Sequence, residues 1–149
     1  MSLSERWAAK MKSCGFPDAP MVRCGSDSLP AEAAPCLDFA QASNPAPIWE
    51  VFGGLSAADQ KRLAPYRMIG SDGAGNPICL ADGAVVLLDH ENNFGTVQFV
   101  NTSVLKLGEC LLAYMGEQDA ERFRTAVRNI DPPAMDEGSF WFAESAGIG

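Results

Sequence analysis

Four apolar segments between Tyr66 and Val100 constrain this chain more than any other feature, because only a few polar residues separate each from the next. They are Tyr66-Arg67-Met68-Ile69, Ile78-Cys79-Leu80, Ala84-Val85-Val86-Leu87-Leu88 and Thr96-Val97-Gln98-Phe99-Val100. Between them lie a Gly70–Pro77 loop, an Ala81-Asp82-Gly83 turn and a polar turn from His90 to Gly95. β-branched and aliphatic residues bounded by Gly, Asp, Asn and Pro read as strands. A parallel crossover needs a dozen residues or more, so strands this closely spaced pair antiparallel, as a meander.

The flanks read as helices and loops. Asn101, Thr102 or Ser103 caps a helix with Val104, Leu107, Leu111 and Tyr114 on one face. A second helix carries Ala120, Phe123, Val127 and Ile130 and is broken by Asp131-Pro132-Pro133, leaving a short tail with Phe140-Trp141-Phe142. Near the start, Trp7, Ala8 and Met11 give a helix over Ser4–Met11 that Gly15 and Pro17 end. Six prolines from Pro17 to Pro47 exclude long regular elements there. Ile48–Phe52 alternates loosely and reads as a strand stopping at Gly53-Gly54. Ser56 caps a short helix with Asp59 in its first turn, closed by Pro65. Strands followed by helices that cover one face make an α+β domain with a central, mostly antiparallel sheet. At 149 residues the chain is one domain in size, residues 1–149.

Charge and cysteine usage narrow the partners. A net charge of -8 repels phosphate backbones and disfavours direct nucleic-acid binding, while it speeds encounter with a basic protein. The five cysteines are odd in number and scattered, without a C-x-x-C pair, so neither a disulfide framework nor a structural zinc site is expected. Cys79 and Cys110 sit in apolar runs and read as core. No apolar run approaches the roughly 18 residues of a membrane span, and the N-terminus lacks a signal-peptide pattern. The expected compartment is the cytoplasm.

Catalytic motifs are sparse. The single histidine, His90, stands in the turn Asp89-His90-Glu91-Asn92-Asn93, and a cysteine–histidine pair would have to recruit it. Gly70, Gly73 and Gly75 are followed by Asn76-Pro77 instead of the Gly-Lys-Ser/Thr of a phosphate loop. Asp72–Asn76 lacks the third oxygen ligand and the closing Glu of a calcium loop. No cofactor and no metal site is expected.

The stretch Ile69–Leu80, then Gly83–Glu91, then Phe99-Val100-Asn101-Thr102-Ser103 opening a helix, resembles the SUKH superfamily, which includes the Smi/Knr cell-wall regulators and many bacterial immunity proteins. The Asp131-Pro132 break followed by Trp141 is similar to that family's C-terminal end. The likeness covers residues 64–142; residues 1–63 diverge. It implies an α+β domain around a mostly antiparallel sheet, not an enzyme, that binds and neutralises a cognate secreted toxin such as a nuclease or deaminase. It gives Gly70, Gly73 and Gly75 turn roles and makes Asn101 and Ser103 a helix cap. It carries over no catalytic residue.

For the surface that meets a basic toxin, the residues themselves propose the acidic ones. Asp72, Asp89 and Glu91 lie on turns of the sheet; Glu117, Asp119 and Glu121 cluster at a helix start. Carboxylates there would occupy phosphate positions in a basic cleft. Two alternatives stand beside this: an intracellular scaffold or regulatory domain of the same family without a toxin, and a small nucleotide-acting enzyme using Asp72, Asp89 and His90. A monomer and a homodimer paired through a sheet edge are both open.

Overall fold

The structure is a computed structural model that describes residues 1–15 and 20–149. Pro17, expected to end the first helix, lies outside the described residues. Helix α1 (Leu3–Ser13) opens on a reciprocal cap: Ser2 Oγ accepts from the Glu5 amide at 3.1 Å, and Glu5 carboxylate accepts from the Ser2 amide. Only Trp7 of this helix is fully buried.

The proline-rich segment builds short strands. β1 (Met21–Cys24) and β2 (Asp27–Pro30) form a separate hairpin. β3 (Glu32–Ala33) and β4 (Leu37–Asp38) pair around the cis Ala34-Pro35 bond, and β5 (Ala46–Pro47) follows.

Ile48–Phe52 is not a strand. Ile48–Val51 forms one helical turn, α2, closed by the Phe52 amide donating to the Ile48 carbonyl at 2.9 Å. Apolar residues at 48 and 52 satisfy a strand's alternation and a helix's four-residue spacing alike. Packing chose the helix, since Ile48 and Phe52 dock together under the sheet. α3 (Ala57–Leu63) begins at Ser56, whose hydroxyl accepts from the Asp59 amide.

The meander is as the spacing predicts: β6 (Arg67–Ser71), β7 (Pro77–Ala81), β8 (Ala84–Leu88) and β9 (Val97–Asn101), each antiparallel to the next. The full order is β3-β4-β6-β7-β8-β9, with β5 also on β6. The fold is therefore α+β with a mostly antiparallel sheet.

Helices cover both faces of this sheet rather than one. Ile69, Ile78 and Val85 face α4 (Val104–Tyr114), α5 (Ala120–Ile130) and α6 (Phe140–Ser145) in the main core with Trp7. Met68, Cys79, Val86 and Leu88 face the opposite way, onto Ile48, Leu63 and Phe94. Consecutive residues of a strand point to opposite faces. Burial of both faces explains why β8 reads as an unbroken apolar run.

Two further corrections follow. The C-terminal Phe140-Trp141-Phe142 tail is helical, with Trp141 fully buried. Of the three glycines given turn roles, only Gly75 has positive φ; Gly70 lies within β6, where a Cβ would collide with the Asp38 carbonyl oxygen of β4.

Candidate functional site

The β6–β7 and β8–β9 turns lie at the same end of the sheet, since successive strands reverse direction. Asp72 organises the first: its carboxylate accepts from the Ala74 amide at 2.9 Å, the Asn76 amide at 2.8 Å and Asn76 Nδ2 at 3.2 Å. Asp89 organises the second, accepting from the Glu91 amide at 2.9 Å to open a single 3-10 turn over His90–Asn92. Asn76 ties the two turns together. Its Oδ1 accepts from the His90 amide at 3.1 Å and lies 2.7 Å from His90 Nδ1. The imidazole also stacks on Phe52, with ring centroids 6.3 Å apart. Glu91 is exposed and forms no ion pair among the described residues.

The structure thus brings Asp72, Asp89 and Glu91 onto one platform. One cation borders it: Arg62 donates to the carbonyl oxygens of Asn93 at 2.8 Å and Phe94 at 3.3 Å. Asp89 lines a shallow depression of about 300 Å³ with Asn76, Leu87, Thr96 and Gln98, whereas Asp72 and His90 stay outside its wall.

Glu117, Asp119 and Glu121 form a second group, at the start of α5, and arginines of the same helix neutralise them. Glu117 accepts from the amides of Gln118 and Asp119 and from Arg122; Asp119 caps α5 and also faces Arg122. Glu121 pairs with Arg124 at 2.6 Å. Their carboxylates are occupied in helix capping and local pairing.

Asn101 is not a helix cap; Ser103 alone is, accepting from the Lys106 amide. Asn101 is fully buried instead. It accepts from Trp141 Nε1 at 2.9 Å and donates to Asp131 Oδ2 at 2.9 Å. Asp131, only 2 % exposed, also accepts from the amide and hydroxyl of Thr102. Its role is to lock β9, α5 and α6 together.

Sequence reasoning missed a cavity of about 470 Å³ between α1, the β3–β4 pair and the end of α4. Trp7, Met11, Leu37 and Met115 give it apolar walls, and Glu32 and Asp38 contribute carboxylates. The exposed thiol of Cys36 also borders it. The residues come from three separate stretches of chain, so no local pattern announces the site. Among the described residues no cluster of side chains is arranged to hold a metal ion, and no helix is long and apolar enough to cross a membrane.

Comparison of the chain with protein-family models, with curated proteins and with solved structures found no match.

Proposed function

We propose that this chain is a protein-binding module, an immunity protein of SUKH type that neutralises a cognate basic toxin, nuclease or deaminase, by direct contact. The observation that carries the reading is the platform at the sheet end, where Asn76 and His90 cross-tie two turns bearing Asp72, Asp89 and Glu91. Carboxylates held on a hydrogen-bonded scaffold lose little freedom on binding, so they suit a pre-organised contact. The net charge of -8 adds long-range attraction for a basic partner.

The platform supports this reading better than the α5 group does, because Arg122 and Arg124 already neutralise Glu117, Asp119 and Glu121. The nucleotide-acting alternative has less in its favour. Asp72 and Asp89 direct carboxylate oxygens to backbone amides of their own turns, and His90 turns Nδ1 toward Asn76. The cytoplasm, where a cell would meet its own toxin, is the compartment this reading requires.

Co-expression with the product of the neighbouring gene tests the function: growth is rescued and the two proteins co-purify. Glu91→Lys then tests the surface. Association should slow about three- to tenfold at low salt, with dissociation nearly unchanged, as expected for a rim charge. Unchanged association places the interface elsewhere; absence of rescue and of a complex overturns the immunity reading.

A further inference from the structure

We propose that the cavity between α1, β3–β4 and the end of α4 binds a small organic cation, an aliphatic chain bearing an ammonium head. This is independent of toxin binding and uses a different part of the molecule.

Size and lining fit such a ligand. About 470 Å³ lies within the usual range for small-molecule sites, and Trp7, Met11, Leu37 and Met115 supply apolar walls. Two of the four are methionines, whose flexible thioethers adapt to an alkyl chain. No lysine or arginine lines the cavity.

The charge at its mouth is unusual. Glu32 and Asp38 stand directly opposite each other across the two-residue β3–β4 ladder, and both are exposed. Like charges at such positions destabilise a strand pair. Neither has an ion-pair partner among the described residues. Asp38 Oδ1 accepts from the Ala40 amide at 2.8 Å, while no bond to the Glu32 carboxylate or to Asp38 Oδ2 is formed within the described chain. A cation seated between them would turn a repulsive pair into a chelating one.

Trp7, in the cavity wall, serves as the reporter of binding. Trp7 is 1 % exposed, and its indole Nε1 is the one buried side-chain nitrogen or oxygen without a hydrogen-bond partner among the described residues. The apolar walls and the two opposed carboxylates together specify an amphiphilic ammonium ion.

The test is an NMR titration of the full chain with butyl-, hexyl- and octyl-trimethylammonium below their micelle-forming concentrations, against alkyl carboxylates of equal length. Of the three tryptophan indoles, only that of Trp7 should shift, since neither Trp49 nor Trp141 lines the cavity and Trp141 Nε1 is bonded to Asn101. Affinity should rise about fourfold per added methylene until the cavity fills. The ammonium should be favoured about tenfold over the carboxylate. Glu32→Gln with Asp38→Asn should erase that preference while keeping the chain-length dependence. Should the double variant not fold, Cys14→Ser protein carrying a bulky maleimide on Cys36 should lose binding. Equal affinity for both head groups, a stationary Trp7 indole, or binding that survives the maleimide overturns the proposal.

Discussion

Trp141 donates its indole N–H to the side-chain oxygen of Asn101 at 2.9 Å, and both residues are fully buried, forty positions apart in the chain. Asn101 passes the connection on to Asp131, which holds the end of α5. Asn101→Ala would leave the indole nitrogen and one Asp131 oxygen without this partner. A loss of about 2–4 kcal/mol in urea unfolding is expected, the range for breaking a buried hydrogen-bonded network. Combined with Trp141→Phe, the two losses should fall short of additivity by at least about 0.5 kcal/mol in a double-mutant cycle.

Gly70 carries a steric prediction. A Cβ there meets the backbone oxygen of Asp38, which cannot move without displacing β4. Gly70→Ala should cost about 1–3 kcal/mol and speed hydrogen exchange at the amides of β3 and β4. Gly53→Ala, with nothing within 4 Å of the added carbon, is the control and should lie within about 0.5 kcal/mol of the parent.

Thiol reactivity should divide cleanly. Burial pushes the thiols of Cys79 and Cys110 up to about 12, and Cys24 is raised by burial and then by nearby Asp27. The thiolate is the nucleophile, so these three should resist alkylation. Cys14 and Cys36 are exposed. Intact-mass measurement after iodoacetamide should show two adducts on the folded protein and five in urea. A third native adduct would reveal local opening of the core.

The acidity of Glu144 predicts a pH effect of definite sign. Burial and then the negative charge of Asp72 raise its pKa. A raised folded-state pKa means that folding favours the protonated form. Its contribution is favourable below the unfolded-state value, about 4.3, and is lost as pH rises through the folded-state value. Glu144→Gln should therefore raise the melting temperature at pH 7, by less than about 1 kcal/mol of stability for so partly exposed a charge. The gain should vanish near pH 3.5 in a melting series.

The meander was legible because two signals agree there: apolar runs on both sides of each turn, and turn residues at each break. Ser56 and Ser103 likewise announce their helices through local capping chemistry. Ile48–Phe52 was misleading because its spacing serves two periodicities, and only contacts with Leu63 and Phe94 decide between them. Phe140-Trp141-Phe142 has no amphipathic rhythm; its helix exists because Trp141 is drawn into the core beside Tyr114 and Phe123. Of the six acidic residues singled out, Glu91 and Glu121 differ in the Arg124 that follows Glu121 by three positions on its helix, a local signal that the sequence does carry. The cavity behind β3–β4 was invisible because no local signal accompanies it. Its walls meet only in three dimensions.

With helices clothing both flat sides of the sheet, the short connections at its extremities are where side chains can be exchanged without disturbing the interior. Glu91 sits on such a tip, away from either apolar cluster. Side chains there can therefore be replaced at small cost in folding free energy, so a variant with new tips keeps an unchanged scaffold.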